Sequence, residues 1–453
     1  MTASIYSYRR SASKPLCNSL TSHRRWWPSY HELGRWIPLW GMAAVMCASG
    51  LGVPLQAQDQ PSGAAALYRS ICDFGVSAEG QGETNRARLQ AAIDWAAPRG
   101  AALFVPPTST PYPMAGGLIL RRNVSLVGVH GPVGRGTRHP DKPQPVGSVF
   151  AIEDREQAFI TVEGATQLSG LQFWYPQQTL TDAAKVIEYP PTIRVSTDSP
   201  AHGVTLSRLT FFGEFTAMDF RATPGKSCEQ ILIEHCYGYP LSGEFIAIDY
   251  CYDVPRILHC HINPSNRRFI DGAYSRAVVD SVVARKTFAY WIDHTDNAQV
   301  MDAFTFGTYG GMHLGAASYG QMTNFNFDCV TVGIHKLGDS TFNRNWQISQ
   351  GSIIANTGES VADVHPLIIE GKGHTSLVNV EAFSGPNNAL STLDQSQDFL
   401  LIRGSDKLTV SLFGCRMRNY LADAPLTIEN PAAIVQALGC IDKDENAFEF
   451  STR

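Results

Sequence analysis

The chain has 453 residues, of which 44% are apolar and 17% charged, and its formal net charge is −5. That is globular composition, which excludes a disordered polymer. The absence of a basic stripe argues against nucleic acid as a partner. The length allows one large core or two ordinary domains.

Residues 1–57 read as an export signal. The longest apolar run spans 37–55, Arg24, Arg25 and Arg35 precede it, and a polar stretch with small residues follows. A basic region, an apolar region and a small residue at a cut site make a secretory leader, with the cut placed after Ala57. The expected location is therefore secreted or periplasmic, with no stable membrane insertion once the leader is removed. Residues 58–68 read as a linker.

Residues 69–115 form three pieces. Ile71 to Phe74 reads as a short strand. Thr84 to Ala97 reads as an amphipathic helix with Leu89, Ala92, Ile93 and Ala96 on one face and Thr84 as its N-cap. Pro98 and Gly100 stop it, and Ala102 to Val105 reads as a buried strand ending at Pro106. Asp73, Phe74, Gly75, Leu89, Gln90, Ala92, Ile93, Asp94, Val105, Pro106 and Tyr112 together resemble the N-terminal entry of the pectate-lyase-like superfamily, to which glycoside hydrolase family 28 is related. The turn, S-A-E-G-Q-G-E-T-N, departs from that pattern. The resemblance implies an all-β, single-stranded right-handed parallel β-helix, a solenoid whose open end is covered by an N-terminal capping helix. It does not imply one activity, because hydrolases, lyases, epimerases and phage tailspikes share that fold.

Residues 116–420 read as the body. A triplet of small or apolar, large apolar and polar residues recurs about every 20 to 35 residues. It ends at Glu163, Arg194, Asp219, Asp249, Asp271, Asp293, His313, His335, Glu370 and Arg403. A second series alternates apolar and polar residues, among them I-L-I-E-H-C at 231–236, V-V-D-S-V-V at 278–283 and L-V-N-V-E-A-F at 377–383. These read as a second strand in each coil. Residues 421–453 read as a last coil and a tail over the open end.

If Met218, Ile248, Ile270, Ile292, Met312 and Ile334 point inward, the residue after each points out. Asp219, Asp249, Asp271, Asp293, His313 and His335 then stack in one outward column, about 4.8 Å apart. Like charges at that spacing repel, so such a column is a candidate for function. Glycosidic cleavage uses two carboxyl groups, about 5 Å apart in retaining enzymes and about 6.5–9.5 Å apart in inverting ones. Asp249, Asp271 and Asp293 are the catalytic candidates. Asp219, Asp296, His313, His335, Arg403, Trp291 and Tyr250 are the substrate-binding candidates.

The expected function is a glycoside hydrolase acting on a polysaccharide or oligosaccharide, with no metal and no cofactor. The alternatives are a lyase or epimerase on a uronate glycan, which could use Ca²⁺, and a noncatalytic carbohydrate-binding β-helix. The sequence leaves the oligomeric state open. Eight cysteines follow the leader at irregular spacings without a C-x-x-C pair, so most are expected to be small core residues inside strands, although an exported chain could oxidise some of them.

Overall fold

The computed structural model describes residues 68–129, 136–338, 345–385 and 389–452. Residues 1–67, the expected leader and most of the expected linker, lie outside them. The chain divides into units 1–60 and 61–453, and all described residues belong to the second. No helix among the described residues is long and apolar enough to cross a membrane.

Short strands recur three to a coil, and each pairs in parallel with its equivalents in the coils before and after. Face 1 holds strands such as Leu232–Glu234, Arg256–Leu258 and Ala298–Met301. Face 2 follows it directly, as in Tyr237–Gly238, His261–Ile262 and Phe304–Phe306, and the two count together as one 25-stranded sheet. Face 3 is an 11-stranded sheet that includes Met218–Arg221, Ile246–Asp249, Phe288–Ile292, Gly310–Leu314, Val332–Lys336, His365–Glu370 and Leu400–Arg403.

The second sequence series therefore straddles a corner and supplies two strands per coil instead of one. A single left-handed residue makes each corner: Arg208, His235, His259, Asp302, Asn324, Gln350 and Asn379 all have φ between 51° and 55°. The ladder continues through the bend. The amides of His235, His259 and Asp302 donate to the carbonyls of Leu258, Met301 and Thr323 at 3.0, 2.9 and 3.1 Å.

Period-two alternation sends one apolar column inward from face 1. Leu103, Leu126, Leu168, Leu206, Ile233, Ile257, Val300, Met322, Ile348, Leu377 and Leu412 stack in register and are all buried. Each such side chain contributes about 1.5–3 kcal/mol by leaving water. Face 3 adds Met218, Ile248, Ile292, Met312 and Ile334, all buried as expected.

Helix α1 (Gly82–Ala96) covers the N-terminal end and buries Leu89, Ala92, Ile93 and Ala96. It begins two residues earlier than the sequence suggests. Gln81, not Thr84, is the N-cap, and its side chain makes no capping bond. The buried Asn85 ties the helix down, bonding Ser77 through both its amide and its carbonyl, and also the Pro113 carbonyl. Ile71–Phe74 is a 3-10 turn, not a strand; the strand precedes it at Tyr68–Ser70. At the other end the strand Ile434–Ile441 pairs antiparallel with Ala447–Ser451, which closes the last coil.

The excursion 263–287 between faces 2 and 3 overturns two expectations. V-V-D-S-V-V at 278–283 lies in helix α2 (Arg276–Ala284), capped by the Ser275 hydroxyl, which accepts from the Val278 amide. Val278, Val279 and Val282 fall on one helical face and are buried. A short apolar run bears both periods equally well, and the cap decides here. Asp271 belongs to the same excursion. It accepts from the Arg267 guanidinium at 2.9 Å and is not on face 3, so F-I-D is not a member of the ladder.

Candidate active site

The outer side of face 3 carries two rows of residues, not one. Met218 pairs with Ile246, which puts Asp219 beside Ala247 and Arg221 beside Asp249. The row of Asp219 continues through Trp291, His313, His335, Ile368 and Leu401. The row of Arg221 continues through Asp249 to Asp293, and farther along holds Glu370 beside Arg403. A slip of two positions keeps every side chain on its face, so alternation cannot reveal it. The column of four carboxylates consequently does not exist.

Asp219 meets a cation instead. Arg221 Nε donates to it at 2.9 Å, and the same guanidinium reaches Glu244 at 2.6 Å. Asp249 and Asp293 are neighbours across two coils and converge on His294. His294 Nδ1 lies 2.8 Å from Asp249 Oδ1 and 3.8 Å from Asp293 Oδ2. The Tyr250 ring stacks on the imidazole at 4.3 Å. Burial pushes the Asp249 carboxyl up, against the pull of His294. Asp293 Oδ1 also accepts from the amides of His294 and Ala317, each at 2.9 Å. Asp296 sits past this turn and accepts from the Tyr319 hydroxyl.

The first row leads away from this cluster as a band of rings. Arg221 lies 5.9 Å from the Trp291 ring, Trp291 stacks on His313 at 5.7 Å, and His313 meets His335 edge-on at 5.4 Å. Burial, and secondarily the neighbouring His335, lowers the His313 pKa to about 4, so it is neutral near pH 7. Burial also lowers His335, against the pull of Glu370. His335 Nε2 is 2.5 Å from Glu370 Oε1, and Arg403 Nε donates to Glu370 Oε2 at 2.7 Å. Burial pushes Glu370 up, but the bonds from Arg403 and His335 outweigh it and hold the carboxyl below its ordinary value.

Beside the end of this band lies a groove of about 970 Å³. Its floor is an apolar strip of Val332, Ile368 and Leu401 packed with Phe288 and Tyr309. Helix α2 and Lys286 contribute to its lining, as do Glu359 and Asp363. His335 and Arg403 also face it. So does His365, whose Nδ1 is 2.9 Å from Oδ1 of the fully buried Asp398. Donation from Nδ1 to Asp398 makes Nε2 the acceptor nitrogen of the ring. Burial, with Asp363 adding to it, raises the Tyr309 hydroxyl, against the pull of Arg403.

Face 3 thus gathers Asp219, Asp249, Asp293, Tyr250, Trp291, His313, His335 and Arg403. It leaves out Asp271, and it holds Asp296 in the loop beyond. Sequence reasoning missed His294, Glu370, His365 and Asp398 as site residues. A signal for the last two exists: H-P-L-I-I-E and D-F-L-L-I-R place His365 and Asp398 five residues before the polar ends of two successive triplets. Among the described residues no group of three His, Cys, Asp or Glu side chains is arranged to hold a metal ion.

The chain matches no protein-family model and no curated protein. Among solved structures it is similar to the pre-mature bacteriophage phi29 gene product 12, with TM-score 0.53 and 12% identity, over 82% of this chain and 52% of that one. It thus spans about half of that protein. It also aligns with DFA-IIIase from Arthrobacter chlorophenolicus A6 in complex with GF2 (TM-score 0.48, 11% identity, 84% of this chain and 95% of that one). A third alignment is with the mannuronan C-5 epimerase AlgE6 A-module of Azotobacter vinelandii (TM-score 0.41, 12% identity, 83% and 99%). At these identities the likeness is one of architecture, and the coil-to-coil pairing described above makes that architecture a right-handed parallel β-helix.

Proposed function

We propose that the protein is an exported carbohydrate-active enzyme that lays a glycan chain along face 3 and cleaves it by hydrolysis. The observation that carries this reading is the unbroken band from Arg221 through Trp291, His313 and His335 to Glu370 and Arg403, beside an open groove. Flat rings with interleaved charged donors and acceptors suit sugar rings and their hydroxyls. Asp249 and Asp293 are the proposed pair at one end of the band. Their neighbouring coils put them near the spacing of a retaining pair, about 5 Å. Desolvation favours the protonated form of Asp249, the property of a general acid.

A second reading rests on the groove. His365 beside Asp398, in a groove that Arg403 also lines, suits abstraction of the proton beside a uronate carboxylate, as in a lyase or epimerase.

Product analysis separates the two readings. Purified protein is incubated with a panel of polysaccharides and assayed for new reducing ends and for the ultraviolet absorbance of unsaturated uronates. Hydrolysis gives reducing ends alone, and Asp249→Asn and Asp293→Asn each lower the rate by about a hundredfold or more. Unsaturated product that disappears in His365→Ala moves the chemistry to the groove. Unchanged rates in both Asp variants discard that pair; solvent deuterium entering the glycan without cleavage marks an epimerase, and binding with neither cleavage nor exchange leaves a noncatalytic β-helix.

A further inference from the structure

Six cysteines meet two by two on neighbouring coils. Cys228 and Cys251 are register partners in the small parallel sheet that flanks face 3. Cys236 and Cys260 each follow the left-handed corner residue of their coil. The pairing of Tyr237 with His261 and the 2.9 Å bond from the His261 amide to the Cys236 carbonyl set them side by side. Cys415 and Cys440 occupy the same corner position near the other end, where the Ile441 amide donates to the Cys415 carbonyl at 2.9 Å. All six are buried.

Chance does not readily put three pairs on adjacent rungs. A core position that needs only a small apolar residue takes Ala, Val or Gly equally well. The corner column elsewhere holds the small Ala303, Gly351 and Val380 as well as the larger Leu209 and Phe325. Neighbouring parallel strands hold their Cα atoms about 4.8 Å apart, inside the range of about 4.4–6.8 Å that a disulfide spans. Two described cysteines stand apart from the pattern: Cys72 is exposed beside the Tyr112 hydroxyl, and Cys329 contacts Ser391.

We propose that Cys228 with Cys251, Cys236 with Cys260, and Cys415 with Cys440 are three cystine sites that staple successive coils. Each closure breaks two S–H bonds and forms one S–S bond. The two electrons and two protons pass to a disulfide oxidant such as glutathione disulfide, which leaves as two thiols. Because the thiols are buried, exchange takes place while the coils assemble. One staple, Cys228 with Cys251, joins the coil that carries Asp249 to the coil before it, and another, Cys236 with Cys260, joins it to the coil after. Cys251 lies two residues past Asp249 and bridges to Thr295, next to His294. The third ties down the last full coil, where a solenoid has a neighbour on one side only. The inference does not depend on the proposed activity, since it concerns covalent closure and not turnover.

The test unfolds the full chain in urea with reductant and refolds it with a mixture of reduced and oxidised glutathione. Free thiols are then alkylated in denaturant and the peptides mapped by mass spectrometry. The expected result is three linked peptide pairs with the stated partners, with Cys72, Cys329 and, in the full chain, Cys17 and Cys47 alkylated. Oxidation should also raise the midpoint of thermal unfolding, and replacing one pair by alanine should remove its link and its share of the rise while the other two links remain. Recovery of all six thiols as alkylated forms overturns the proposal, as does linkage among other partners.

Discussion

Glu214 is fully buried, and one of its oxygens accepts from the Tyr239 amide at 2.6 Å. Burial raises its pKa from 4.5 to about 8, against the attraction of Arg267. A carboxyl that keeps its proton in the folded state gives up stability as the pH rises. Its contribution is whole below 4.5, where the unfolded chain also holds the proton, and is lost as the pH passes 8. Glu214→Gln keeps the neutral form at every pH, so its denaturation midpoint should fall less than that of the native chain across this window. His313 behaves in the opposite sense. Its pKa is lowered from 6.5 to about 4, so its contribution is present above 6.5 and is lost as the pH falls through 4. An NMR titration should find this imidazole neutral down to about pH 4; a midpoint near 6.5 would mean that it is solvated and not packed between Trp291 and His335.

At the level of single elements the corners carry most of the information. Each bend asks one residue for a left-handed conformation, which costs a side chain about 1–2 kcal/mol and suits Asn and Asp best. Asn324 and Asn379 fit this demand, and so does Asp302. Asn324→Val, with a β-branched side chain at φ 54°, should destabilise the fold by about 1–2 kcal/mol in urea unfolding. A neutral outcome would mean that the corner relaxes. The same elements show why part of the sequence reading failed. The apolar run at 278–283 fits a strand as well as a helix turn, and only the Ser275 cap and the packing of Val278, Val279 and Val282 select the helix. Asp271 ends a triplet identical in type to its neighbours, yet its partner is Arg267 four residues earlier.

Across the whole molecule one core runs the length of the spiral. Phe150, Phe159, Phe173, Phe211 and Phe245 form a run of ring contacts between 5.1 and 6.4 Å inside the first half. Phe173 touches three of the other four, so Phe173→Ala should cost about 3–5 kcal/mol. A coil packs mainly on its neighbours, so the loss should stay near its site. Hydrogen exchange should speed up in the coils around residue 173 and remain unchanged near Leu412. A uniform increase over all coils would contradict nearest-neighbour packing.

By itself the sequence determined the spiral, its capping helix and the faces on which its side chains lie. These follow from periods of two and of about one coil, which local alternation writes directly into the chain. The tertiary structure decided which coil sits in which register. It thereby replaced a carboxylate column by the meeting of Asp249, Asp293 and His294 and by the union of His335, Glu370 and Arg403. A shift of two positions leaves every residue on its own side of the sheet, so alternation is blind to it; only the packing of whole coils on one another fixes which charges touch.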